Sequence, residues 1–251
     1  MPEGPSIVIA REKLKSFKGK KILAASGNAK FDKDFLTGQK VIAILSWGKH
    51  LIIQLKKESL RIHFLMFGTY SINEVLRPST SLRLKLSFAE GDIYFYTCSV
   101  KLLEGQPNEI YDWEGDVMND HWNPAKARKK LKAMPRLMVC DALLDQHVFA
   151  GVGNIIKNEV LYRIFLHPET RLGNIPPRKL TELIREARNY SFDFLKWKKA
   201  FVLKKHWLAH TKKTCHRCQL PILKKYCGKT NRRTFFCKNC QVRYTAAASR
   251  G

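Results

Sequence analysis

Acidic residues are scarce in this chain of 251 residues: 21 Asp and Glu stand against 46 Lys and Arg, a formal net charge of +25. From Lys196 to the end, sixteen Lys or Arg occur in 56 residues without a single Asp or Glu. So large an imbalance exceeds what solubility needs and points to a polyanionic partner, nucleic acid before an anionic membrane surface. No apolar run approaches the roughly 20 residues that span a bilayer, and the opening MPEGPSIVIAREK has no signal-peptide pattern, so an intracellular protein without a membrane partner is expected. Seven cysteines in such a compartment argue against a disulfide framework. No repeat of solenoid period is present. What remains is enough hydrophobic content, 45 %, to bury a core in one large domain or two ordinary ones.

The apolar pattern changes period along the chain. Ile7, Ala10, Leu14 and Phe17 recur at helical steps before Gly19. Between Lys40 and Thr97 the period becomes two; in SLRLKLSF, Leu82, Leu84, Leu86 and Phe88 face one way while Arg83, Lys85 and Ser87 face the other. Short strands broken at Gly48 and Gly91 predict an antiparallel β-sandwich or barrel. After an acidic link ending near Asn123, an N-cap followed by Pro124, helical spacing takes over: through Leu137–Gln146, through Asn154–Phe165 beyond Gly151-Val152-Gly153, and after Pro176-Pro177. The class expected is therefore α+β and multidomain.

Cys215-x2-Cys218 and Cys237-x2-Cys240, eighteen residues apart, match the spacing of a structural zinc site. Four thiolates close a tetrahedron and leave no position for substrate. Cys227 is a spare thiol, and Cys98 and Cys140 sit in apolar contexts expected to be core. Before Cys237, Asn231-Arg232-Arg233-Thr234-Phe235-Phe236 has hairpin composition with a basic tip, suited to gripping phosphate, although solvated surface arginines fit the composition equally. At the other end, removal of Met1 would leave Pro2 as a secondary amine. With an ordinary pKa near 8 it has a usable neutral fraction and forms an iminium directly with an aldehyde-level carbon, next to Glu3 as a proton carrier.

Pro2-Glu3-Gly4-Pro5, the run from Asp145 to Asn154 (DQHVFAGVGN) and the terminal four-cysteine finger together resemble the formamidopyrimidine-DNA glycosylase/endonuclease VIII family. Gly153-Asn154-Ile155-Ile156-Lys157-Asn158-Glu159, with Pro5-Ser6, is especially similar to a vertebrate endonuclease VIII-like member. The resemblance implies an N-terminal helix with an antiparallel β-sandwich as catalytic domain (1–120), a helical helix-two-turn-helix DNA-binding domain (121–210) and a four-cysteine zinc finger (211–251). It further implies a monomeric base-excision-repair enzyme acting on damaged DNA in the cytoplasm or nucleoid, or in a eukaryotic nucleus. That enzyme would be a DNA glycosylase and abasic-site lyase working through a Pro2 Schiff base and β,δ-elimination, with structural Zn2+ as its metal.

By the same resemblance Pro2 attacks the sugar C1′, Glu3 is the general acid, Lys49 contacts phosphate near the lesion, and Asn154 and Arg232 bind backbone phosphate. Met66, with Leu65 and Phe67 as co-fillers, occupies the space left by an extruded base; the competing reading is a core strand residue. Two departures carry weight. The purine-directed branch has Asp-Pro-Arg-Arg-Phe-Gly after its Tyr-Thr, whereas here Cys98-Ser99-Val100-Lys101 follows Tyr96-Thr97, which favours oxidised pyrimidines and abasic sites. Ser6 stands where the family commonly has a second glutamate. A non-enzymatic zinc-finger nucleic-acid-binding protein is the alternative, but it leaves Pro2 and Glu3 without a task.

Overall fold

A computed structural model describes residues 2–245. Met1, whose removal the proline chemistry requires, and residues 246–251, the end of the basic tail, lie outside the described residues. The chain divides between Asp112 and Trp113 into two compact units. The helical and four-cysteine segments, read separately in the sequence, share the second unit.

The first unit opens with α1 (Gly4–Leu14), started by Pro5 in its first turn, where a missing N–H costs nothing. Eight strands follow: β1 (Ala24–Ser26), β2 (Ala43–Trp47), β3 (His50–Gln54), β4 (Glu58–His63), β5 (Thr69–Ile72), β6 (Leu82–Phe88), β7 (Gly91–Tyr96) and β8 (Ser99–Glu104). They form two antiparallel four-stranded sheets, ordered β1-β6-β7-β5 and β2-β3-β4-β8. The expected alternation is realised in β6, where Leu84, Leu86 and Phe88 are buried. Leu51, Ile53, Leu60 and Ile62 of one sheet, Ile93 and Phe95 of the other, and Ile7 and Leu14 of α1 belong to one core. This is the sandwich expected, with α1 packed on β2 and β3.

Two short connections carry the chain between the sheets. Thr97-Cys98 alone joins β7 to β8, and residues 64–68 join β4 to β5. In the second, the Gly68 amide donates to the Phe64 carbonyl at 2.7 Å, a turn so tight that a Cβ on Gly68 would lie 2.3 Å from that oxygen.

The short α2 (Pro107–Ile110) closes the first unit. The second holds α3 (Pro124–Lys132), α4 (Val139–Ala142), α5 (Asn154–Arg163) and α6 (Pro177–Lys199), and ends in a hairpin of β9 (Leu223–Cys227) and β10 (Arg232–Phe236). Asn123 caps α3 as expected, its Oδ1 accepting from the Ala125 and Lys126 amides, both at 3.0 Å. The helix expected across Leu137–Gln146 shrinks to the four residues of α4. Side chains there compete for the backbone: Asp145 accepts from the His147 amide, and Gln146 donates to the carbonyls of Leu144 and Val152 and accepts from the Gly151 amide. α6 buries Leu180, Leu183, Ile184, Ala187 and Phe194 against the remaining helices, as its spacing predicts. Cys98, Cys140 and Cys227 are buried, and burial pushes the thiols of Cys98 and Cys140 up to about 12, the behaviour of inert core residues. Among the described residues no helix is long and apolar enough to cross a membrane.

Candidate functional site

Each unit carries part of the predicted set. In the first, Pro2 is half-buried and Glu3 is fully buried at the N-cap of α1, its carbonyl accepting from the Ser6 amide at 2.8 Å. Docking of α1 through Ile7, Ala10 and Leu14 therefore fixes where the Pro2-Glu3 pair stands. Lys49 follows Gly48 (φ +52°) in the two-residue turn between β2 and β3, half-buried beside Trp47 and His50.

Around that turn lies a cluster the sequence reading missed. His50 and His63 are register partners across β3 and β4, with rings 5.5 Å apart, and Trp47 and Tyr111 stand within 6 Å of His50. Burial, then Arg61, His63 and Lys49, hold His50 down to about 3; burial, then Lys49 and Arg61, also lower His63. Both rings are thus neutral at pH 7. The Leu65 amide donates to His63 Nδ1 at 3.3 Å, which places the ring proton on Nε2, a donor suited to an anion. A pair of histidines bracketing a short hairpin was the available signal; only the strand register turns it into a contact.

Leu65, Met66 and Phe67 project from the tight turn after β4 and are 49, 50 and 70 % exposed. The core reading for Met66 is excluded. Leu65 holds φ +53°, and Arg77 Nη1 ties the Phe67 carbonyl and Thr97 Oγ1 together, both at 3.1 Å. The loop therefore presents three apolar side chains, each half-exposed or more, on a braced backbone, an arrangement that leaves apolar surface in water.

In the second unit, α5 is strapped to the hairpin. Asn154 Nδ2 donates to the Arg233 carbonyl at 2.8 Å, Lys157 Nζ to Thr234 Oγ1 at 2.7 Å, and Asn158 Oδ1 accepts from the Phe235 amide at 3.4 Å. Residues three and four apart share one face of a helix, so three consecutive strand residues meet one helical stripe. On the next position, the buried Glu159 carboxylate gathers the amides of Leu208, Ala209 and His210 at 2.8–3.1 Å. Burial and Lys157 lower His210 to about 4, so its neutral Nδ1 accepts from Asn158 Nδ2 at 3.0 Å. Arg217 caps the far end of α5 by donating to the Tyr162 and Arg163 carbonyls. Arg232 and Arg233 remain exposed at the start of β10, after the turn and not at its tip.

The sulfurs of Cys215, Cys218, Cys237 and Cys240 lie within 4.8 Å of one another, with 3.8 Å between Cys215 and Cys240 and 3.5 Å between Cys218 and Cys237. A tetrahedron of four sulfurs around zinc, with bonds of about 2.3 Å, has edges of about 3.8 Å. The donor set and spacing fit such an ion. Tyr162 Oη lies 3.2 Å from Cys215 Sγ and the Cys240 amide donates to Cys237 Sγ, outer contacts of the kind that orient metal ligands.

Residues 1–101 match the profile of the formamidopyrimidine-DNA glycosylase N-terminal domain, and residues 115–190 that of the formamidopyrimidine-DNA glycosylase H2TH domain. The chain is 31 % identical over 231 residues to endonuclease 8-like 3 of Xenopus laevis, covering 88 % of this chain and 38 % of that protein. It is 32 % identical over 201 residues to the Homo sapiens protein of the same name, covering 77 and 33 %. The chain thus spans about a third of the length of these relatives. In fold it is similar to Lactococcus lactis formamidopyrimidine DNA glycosylase bound to DNA containing an abasic site, with a TM-score of 0.84, 22 % identity, and coverage of 96 % of this chain and all of that one.

Proposed function

The chain belongs to the formamidopyrimidine-DNA glycosylase/endonuclease VIII family, in its endonuclease VIII-like branch, and from that premise we propose that it is a DNA glycosylase and abasic-site lyase of base excision repair. The observation that carries the reading is the placement of Glu3, a fully buried carboxylate directly behind half-buried Pro2 on a helix locked into the sandwich core.

With Met1 removed, the Pro2 nitrogen attacks the sugar C1′ of the damaged nucleotide. The bond from C1′ to the base breaks, and Glu3 supplies the proton the departing base takes. The sugar ring then opens as the C1′–O4′ bond breaks and O4′ takes up a proton, giving the iminium. This makes the C2′ proton acidic; its loss expels the 3′ phosphate, and a second elimination expels the 5′ phosphate. Water then releases the sugar remnant from Pro2. The reaction needs no redox step.

Lys49 and His63 on the first unit, and Asn154, Arg232 and the N-terminus of α5 on the second, serve as phosphate contacts, which position DNA without reading sequence. Met66, with Leu65 and Phe67, fills the stack when the base is extruded. Cys215, Cys218, Cys237 and Cys240 would hold a structural zinc ion, which would keep the hairpin folded and take no part in the chemistry. Oxidised pyrimidines and abasic sites are the preferred substrates, because Thr97-Cys98 is the whole connection between β7 and β8 and leaves no loop like that of the purine-directed branch.

Reduction by borohydride during incubation with an abasic-site duplex tests the reading. A covalent complex is expected with the processed chain and none with an N-terminally extended one. A chain that binds the duplex and never traps would support a non-enzymatic binder instead.

A further inference from the structure

The turn that leads into Arg232 closes on itself through a single long bond, from the Asn231 amide to the Gly228 carbonyl at 3.3 Å. Residues 228–231 lie beyond the last register pair, Arg232 with Cys227, and Gly228 and Asn231 both adopt left-handed conformations, at φ +72° and +46°. A side chain from another element takes up the two amides at the tip of the turn. Lys229 N donates to Asp141 Oδ2 at 2.9 Å, Thr230 N to Asp141 Oδ1 at 3.0 Å, and Thr230 Oγ1 to the same oxygen at 2.7 Å.

Asp141 belongs to α4 and is buried, with Val139, Cys140, Ala142 and Leu143 buried around it in sequence. A carboxylate in such surroundings is costly unless its oxygens are hydrogen-bonded, and here both oxygens are bonded to one turn. Gly228 is matched to it: a Cβ there would stand 2.3 and 2.4 Å from the two carboxylate oxygens. The next residue after the turn is the exposed Arg232, and the one after that has its carbonyl held by Asn154.

We propose that Asp141 is a positioning residue for the DNA contact: it latches the hairpin turn so that Arg232 leaves it in one direction, beside the N-terminus of α5. It acts only through the hairpin. An arginine on a pre-set backbone loses less conformational freedom when it engages phosphate, so the latch contributes to affinity without touching the ligand. The proposal rests on the reading of Arg232 as a phosphate contact.

The test uses the full zinc-loaded chain, its Asp141→Ala and Asp141→Asn variants, and Thr230→Val, which removes one bond at the exposed turn should Asp141→Ala fail to fold. Each is made alone and with Arg232→Ala. Binding to an undamaged DNA duplex is measured against salt, alongside amide exchange at Lys229 and Thr230 and lyase kinetics on an abasic-site duplex.

Asp141→Ala is expected to speed exchange at both amides, weaken binding roughly tenfold and reduce the salt slope by about 0.9, the value of one lost phosphate contact. KM should rise with little change in kcat. Asp141→Asn, which keeps Oδ1 for Thr230, should recover part of the loss. With Arg232→Ala already present, Asp141→Ala should cost little more, because both substitutions remove the same contact. Equal losses in both backgrounds, or an unchanged slope, overturn the latch even if the chain cleaves abasic DNA. A chain that never cleaves but shows the expected slope change retains the latch and loses the enzymatic reading.

Discussion

The side-chain amide of Asn154 donates to the main-chain carbonyl of Arg233 at 2.8 Å, so the first residue of α5 and the basic strand of the hairpin are one structural element. The amide group expected to meet phosphate thus already spends one hydrogen on protein. Lys157 and Asn158 extend the same seam to Thr234 and Phe235.

Breaking that seam at its buried cation should be costly. Lys157→Met is expected to destabilise the chain by about 1–3 kcal/mol, because Thr234 Oγ1 loses a charge-assisted partner in a dry environment. Urea unfolding would show it; an unchanged midpoint would mean the bond contributes nothing net.

Loss of the metal should act on the hairpin first. Chelation, or Cys237→Ala, is expected to release zinc, unfold residues 215–240 and weaken duplex binding together, since metal binding and local folding share one free energy. Zinc content and amide exchange across β9 and β10 report this directly. Intact exchange protection after complete metal removal would refute a structural zinc site.

The exposed loop should separate activity from stability. Met66→Ala removes a side chain that packs on nothing extensive in its unit, so Tm should stay within about a degree or two. Single-turnover base release from a damaged duplex should slow by roughly tenfold or more, because the extruded base leaves an unfilled stack costing a few kcal/mol. Comparable losses on an already abasic single strand would argue against a filling role.

Stability should depend on pH through His50. The folded ring takes its proton only at about 3, against 6.5 for the ordinary side chain. Between those values the unfolded chain binds the extra proton, so stability falls as pH drops below about 6.5. His50→Phe keeps an aromatic ring against Trp47 and Tyr111 and should flatten the profile between about pH 7 and 5. NMR titration should find the native ring still neutral at about pH 5.

Duplex binding should weaken linearly on logarithmic axes as salt rises, with a slope of about 0.9 per phosphate engaged. Arg232→Ala and Lys49→Ala should each lower that slope by about one contact. A flat response would leave the charge of +25 without a nucleic-acid role.

Local pattern was enough for much of this. Alternation in Leu82–Phe88 marked a half-buried strand, Asn123-Pro124 marked a helix start, and the two C-x2-C pairs marked four sulfurs close enough to hold a metal ion, because each depends on neighbours in the chain. The sequence also placed Met66 and Pro2-Glu3 on short segments, through resemblance to relatives. What it could not reveal depends on residues far apart in the chain. His50 meets His63 through strand register, Asp141 reaches Thr230 across 89 positions, and the Lys157-Asn158-Glu159 run of α5 is buried only because the hairpin and the 208–210 loop close over it. A polar side chain gives no local sign of whether water or a distant backbone will satisfy it, so tertiary structure alone decided which charges on this basic chain hold it together and which stay exposed for a partner.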